Sequence, residues 1–284
     1  VAKCHHLVYL MPVMWSAMRK KLEKPLLILL GAAFTTVVLL QFEFSRIEAT
    51  FYDWRMSFGP QKQANSNIVL ITLDDYTAQK LEDFAPLPLD YHAKFLERLE
   101  TMNPQAIGYL VNMNYVNQIN PDLFTGEWGA RFVSAAQRLE SQNIPVIMGT
   151  PFDVNGEVLP PFPLSSISHG IAILHRDGNV FSEDKVTRRA LTTLYGKSTF
   201  HRLLAEKSGF ILADQKITGS YAVPEVEGQY FFFRYHGDSH TSQYKRISFY
   251  DVLEGNVAPS DIAGKILLIG TLARENPSDF ALTP

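Results

Sequence analysis

Seventeen consecutive uncharged residues, Leu26 to Phe42 (LLILLGAAFTTVVLLQF), constrain this chain more than anything else in it. As a helix rising ~1.5 Å per residue they extend roughly 26 Å, close to the thickness of a bilayer's hydrocarbon core. Just before them, Met18 to Lys24 carries Arg19, Lys20, Lys21 and Lys24 against one acid, Glu23. Basic residues stay on the cytoplasmic side, so the bulk of the chain is expected across the membrane. The rival reading is a cleaved secretion signal, whose apolar region runs about 7–15 residues and ends in a small-x-small site. Here the run is longer and exits into Glu43-Phe44-Ser45-Arg46-Ile47-Glu48, with no Ala-x-Ala. A buried helix of a soluble core is the third reading. The expected organisation is a cytoplasmic segment over 1–24, a transmembrane helix over 25–42 and an extracytoplasmic domain over 43–284.

The first residues carry little pattern. The chain starts with Val1, and Val1 to Ala17 shows neither helical nor strand periodicity; Met18-Arg19-Lys20-Lys21 is the more natural start of a membrane protein. Cys4, His5 and His6 invite a metal reading, but no metal or other cofactor is expected from them. Cys4 is the single cysteine, so the outer domain cannot form a disulfide, which suits a bacterial exported domain stabilised by its core. About 240 residues remain after the apolar run, enough for one large or two small domains with a sizeable core. A net charge of -3 supplies no basic face, so no nucleic-acid partner is expected.

Beyond the membrane segment, Phe44, Ile47, Phe51 and Trp54 recur at steps of three and four and predict an amphipathic helix from Glu43 to about Met56, ended by Gly59-Pro60. Ile68 to Leu73 is an unbroken apolar run ending in Asp74-Asp75, as in a strand buried on both faces. A helix with Phe95, Leu96 and Leu99 on one face follows, then a strand at Ala106 to Val111, a helix from Ala130 to Ser141, and a strand at Pro145 to Gly149. Strand and helix alternate, so this part of the sheet should be parallel with right-handed crossovers. The second half reads as richer in strand: Gly170–His175 and Val186–Tyr195 flank the turn Asp177-Gly178-Asn179, and Gln229–Tyr235 and Lys265–Gly270 follow. Ser198 and Ser248 are placed to cap short helices. The fold class is α/β: a mixed, largely parallel sheet with flanking helices, preceded by one transmembrane helix that continues into the amphipathic helix.

Several segments in this order resemble a known family. Tyr52-Asp53-Trp54-Arg55, Ile68 to Asp75, Tyr91 to Leu99, Asp184 to Arg189, Asp251 to Gly255, Gly264 to Thr271, Asp279 and Thr283-Pro284 are similar to the second type of CHASE domain, the cyclase/histidine-kinase-associated sensory extracellular module. The resemblance covers about Phe44 to Pro284. It implies a receptor: an anchor, an outer sensor, then further membrane helices and a cytoplasmic cyclase, cyclic-dinucleotide enzyme or kinase outside this chain. It also implies that this chain itself is not an enzyme. Two departures touch positions where a sheet-end pocket is lined. The family's Trp-Pro-x-x-Arg stretch is here Phe84 to Asp90 with neither tryptophan nor arginine, and Tyr109-Leu110 lacks the acid that usually ends the second strand.

Candidate ligand-binding residues follow from their places. Asp74 and Asp75 stand at the carboxyl end of a buried strand, where open α/β sheets bind ligands. The competing reading, which the residue chemistry favours, is that Asp75 caps the helix starting near Tyr76 while Asp74 sits in an ion pair. Arg188 and Arg189 adjoin a strand and can clamp an anion, but alternation sends them to opposite faces; an internal salt bridge to Asp74 or Asp184 competes with that role. Asn112, Asn114, Asn117 and Asn120 form a polar rim or, more ordinarily, make turns. His236 and His240 have a metal spacing, but Gly237-Asp238-Ser239 between them argues for a loop. No nucleophile–base pair, phosphate loop or zinc-protease motif is present in the sequence. The expected partners are the membrane, a second copy of the chain in a homodimer, and either an unidentified small molecule or another envelope protein. A dimerisation or assembly module is the alternative to a sensor, and a periplasmic enzyme the third reading.

Overall fold

The computed structural model describes residues 24–39, 44–60, 63–83, 87–114, 126–173, 186–212, 215–235 and 244–272. The chain divides into two compact units, 1–51 and 52–284. In the first, residues 24–39 form helix α1, with Leu27, Ile28, Phe34 and Val37 exposed. Its 16 described residues extend about 24 Å, short of a full hydrocarbon core. The expected span to Phe42 ends outside the described residues, and among those described no helix is long and apolar enough to cross a membrane. Helix α2 (Phe44–Phe58) begins close to the predicted place. Its buried side chains are Ala49 and Tyr52, whereas Phe51, Trp54 and Phe58 remain exposed. The apolar stripe that the periodicity picked out is therefore not the buried face.

The second unit is built on a six-stranded parallel sheet formed by β1 (Ile68–Leu73), β2 (Ala106–Tyr109), β3 (Val146–Thr150), β6 (His169–Ile171), β11 (Lys245–Ser248) and β12 (Ile266–Thr271). Their order across the sheet is β11-β1-β12-β2-β3-β6. The alternation of a two-residue period sends Ile107, Tyr109, Val146, Met148, Leu267 and Ile269 to one face. There they pack on α4 (Leu89–Leu99), α5 (Glu127–Ser141) and α7 (Phe249–Glu254), with Phe95 stacked on Phe249 at 4.2 Å. Ala106, Ile147 and Ile266 point the other way, onto Phe200 and Leu204 of α6 (Phe200–Lys207). Right-handed crossovers produce this division: the winding β1→β2→β3→β6 keeps its helices on one face, and the return toward β11 crosses the other. α6 lies close because the sheet carries glycine beneath it. A Cβ on Gly108 would stand 2.8 Å from the Phe200 ring, and one on Gly170 would stand 2.9 Å from Phe200 backbone atoms.

A second, antiparallel sheet has the order β8-β7-β10-β9, with β7 (Arg189–Leu194), β8 (Lys197–Ser198), β9 (Tyr221–Val223) and β10 (Gly228–Phe232). A small hairpin, β4 (Phe152–Asp153) with β5 (Gly156–Glu157), follows β3. The strands near 170 and 190 do not pair as neighbours of one turn: β6 completes the parallel sheet while β7 belongs to the antiparallel one, and the turn 177–179 lies outside the described residues. Ser198 falls in β8, and Thr199 takes the position before α6. Ser248 does precede α7, but its hydroxyl makes no capping bond and is used elsewhere.

Candidate functional site

The carboxyl ends of the parallel strands gather polar groups, and Asp74 is the most fully engaged. It caps helix α3 (Asp75–Leu81): one carboxylate oxygen accepts from the Thr77 backbone N–H at 2.9 Å, from the Thr77 hydroxyl at 2.9 Å and from the Ser248 hydroxyl at 3.0 Å. The other oxygen accepts from the Thr72 hydroxyl at 2.9 Å. The cap is thus Asp74 and not Asp75, which is exposed in the first turn. Sequence alone placed the helix start one residue late, and that shifted the cap by one. Asp74 also links β1, α3 and the β11–α7 junction. Asp74→Ala is expected to cost about 2 kcal/mol in a urea melt, combining a lost cap with stranded hydroxyls. An unchanged melting midpoint would free Asp74 from this structural duty.

Arg188 is 1% exposed and forms a bidentate pair with Asp53 of α2, Nε to Oδ1 at 2.6 Å and Nη2 to Oδ2 at 2.8 Å. The internal salt bridge anticipated for it therefore runs to Asp53; Asp184 lies outside the described residues. Around this pair the Tyr52 hydroxyl donates to the Phe233 carbonyl, and the Tyr235 hydroxyl donates to the Thr187 carbonyl. The Tyr52 ring meets Phe232 at 5.4 Å. Burial, reinforced by the neighbouring Tyr235 and Asp53, pushes the Tyr52 phenol up to about 12, so it acts as a donor throughout the physiological range. Arg189 points away, as alternation requires, with its guanidinium 4.7 Å from the Tyr230 ring and 5.0 Å from Phe232. Asn112 is exposed and accepts from the Asn114 N–H, a turn-forming bond. Asn117, Asn120, His236 and His240 lie outside the described residues, and among those described no group of three metal-binding side chains occurs. Asp74, Arg188 and Arg189 thus each have a local structural partner.

What the sequence did not reveal is a cleft of roughly 530 Å³ beyond β3 and β6, between the β4–β5 hairpin and the turn joining β7 to β8. That turn is Tyr195-Gly196, with φ of +48° and +71°, the two-residue hairpin geometry that needs left-handed backbone at both positions. Tyr195 stacks on Phe152 at 5.5 Å, and Ile171 closes the floor. Glu157 is 8% exposed and accepts from Thr150 at 2.7 Å and from Lys197 at 2.9 Å, with His169 3.8 Å away. Burial works to raise its carboxyl, but the bonds from Lys197 and Thr150 outweigh that and hold it below the ordinary value. Nothing in the local pattern around Glu157 or Lys197 marks them, because the two belong to different sheets 40 residues apart.

Strand β7 joins these places. Arg188 immediately precedes it, and Tyr195 and Lys197 follow it. Six residues of strand span about 20 Å. A family model described as the CHASE2 domain matches residues 28–284. No curated protein and no solved structure matches the chain. With nearly its whole length accounted for in this way, the chain belongs to the CHASE2 domain family, a family of extracellular sensory domains of signalling receptors.

Proposed function

We propose that residues 25–42 anchor this chain in a bacterial inner membrane, with 1–24 on the cytoplasmic side, and that the remainder is a periplasmic sensor coupled to an output enzyme beyond residue 284. That enzyme is a cyclase, a cyclic-dinucleotide enzyme or a kinase, and the present chain is not itself catalytic. The observation that carries the reading is the buried Arg188–Asp53 pair. α2 is the segment leading from the apolar run into the domain, and a bidentate bond inside the protein ties it to β7. A stimulus that moves β7 therefore bears directly on α2, provided it binds two arrangements with different affinity. The receptor works as a homodimer, to which the exposed Trp54 and Phe58 of α2 contribute apolar surface.

The topology is tested by reporter fusions to the chain 1–284. Alkaline phosphatase fused after Pro284 is expected to be active and a green fluorescent protein fused there dark. A fluorescent fusion with an inactive phosphatase would overturn the extracytoplasmic reading.

A further inference from the structure

We propose that the cleft between the β4–β5 hairpin and the Tyr195-Gly196 turn binds a small zwitterion, a molecule carrying an ammonium and a carboxylate close together, of which α-amino acids are the simplest class. The proposal names the ligand class of the sensor described above and rests on that reading. The cleft's charged groups are two carboxylates, Asp153 and Glu157, and one ammonium, Lys197. Polyanions and plain dicarboxylates face two like charges there. A plain diamine satisfies the acids but leaves Lys197 opposed by a second cation. A zwitterion answers both signs: its carboxylate takes the N–H groups of Lys197 not given to Glu157, and its ammonium meets Glu157 and Asp153.

The remaining lining suits the rest of such a molecule. The stacked Phe152 and Tyr195 rings offer a face for a hydrocarbon or cationic part, and Ile171 is an apolar floor. A volume of roughly 530 Å³ is within the range of small-molecule sites. Lys197 is 65% exposed, so an incoming carboxylate reaches it without opening the core. The bound carboxylate would share the Lys197 ammonium with Glu157 and so weaken the bond between them. Glu157 stands on the β4–β5 hairpin and Lys197 in the antiparallel sheet, so that sharing loosens a bond between the hairpin and that sheet. Strand β7 leads from this point to Arg188 and so to Asp53 of α2.

The test is thermal unfolding of the full 1–284 chain in detergent, with glycine, the nineteen L-amino acids and glycine betaine as probes, and putrescine, succinate and inorganic phosphate as single-sign controls. At least one zwitterion at saturation is expected to raise Tm by about 5 °C, with the controls inert. Lys197→Met should abolish the shift and Lys197→Arg should retain most of it; both replace an exposed side chain and are expected to fold. Tyr195→Asn, which keeps a residue tolerant of positive φ, should weaken the shift. No stabilisation by any zwitterion, equal stabilisation by putrescine or succinate, or an undiminished shift in Lys197→Met would overturn the proposal. The fusion results do not depend on this outcome: a periplasmic domain with no zwitterion response loses the ligand class alone, and a cytoplasmic domain that responds loses the topology alone.

Discussion

Asp53→Ala is expected to destabilise the protein by about 3–5 kcal/mol, because it leaves the Arg188 guanidinium buried without its bidentate acceptor. Arg188 is 1% exposed and Asp53 27%, so solvent cannot substitute freely for the lost carboxylate. The complementary change, Arg188→Met, removes the cation and keeps an unbranched apolar stem in the same space. The double variant should then regain part of the loss, because neither charge is left unpaired. Urea denaturation of the four proteins gives the coupling energy. A coupling near zero would mean that the two charges merely lie close together. In signalling terms the double variant is the informative one: it folds, but α2 has lost its polar tie to β7.

The second large effect is a fall in stability under mild acid, to which two histidines contribute, His201, also pushed down to about 4 by desolvation, and His92. This side chain is fully buried on α4. Its Nε2 lies 3.1 Å from the Leu87 carbonyl, which can only accept, so Nε2 carries the proton. Nδ1 then accepts from the Tyr109 hydroxyl. The ring also sits edge-on to Phe249 at 5.6 Å, so its surroundings offer a second proton's charge little solvation. Burial lowers its pKa to about 4, against the partial opposition of the Leu87 carbonyl and Asp90. The unfolded chain binds a proton near pH 6.5 and the folded one only near 4, so stability is fully present above about 6.5 and falls as pH drops between the two. The integrated loss is about 3 kcal/mol. His92→Gln keeps a donor for Leu87 and titrates nowhere in this range. Its stability-against-pH curve should lack about one proton's worth of slope between pH 4 and 6.5. Equal slopes for the two proteins would assign the acid sensitivity to other groups.

His92 also shows where reading from sequence stops. The helix it sits on was legible, because Phe95, Leu96 and Leu99 repeat at helical spacing. The histidine's burial was not, because its partner Tyr109 comes from the next strand. The parallel sheet was legible for the same local reason: Ile68–Leu73, Ala106–Tyr109 and Val146–Thr150 are short apolar runs separated by helical patterns. Strands β8, β9 and β11 were not, since their side chains are largely exposed and two to four residues carry no period. On α2 the most apolar stripe misled, because the helix buries Ala49 and Tyr52 and is held through a carboxylate, and periodicity weighs greasy residues only. Arg188 was found as a candidate, and an internal salt bridge was expected for it, but its partner Asp53 was not among the acids considered. Asp53 and Arg188 are 135 positions apart, and only the fold says that they meet.

Residues 52–58, the part of α2 inside the second unit, are held there by Arg188, and amide hydrogen exchange over them measures this most directly. In Arg188→Met these amides should exchange about a hundredfold faster than in the wild type, as losing about 3 kcal/mol of local restraint implies, while those of β1 and β12 keep their protection. Wild-type protection of α2 in that variant would contradict the account.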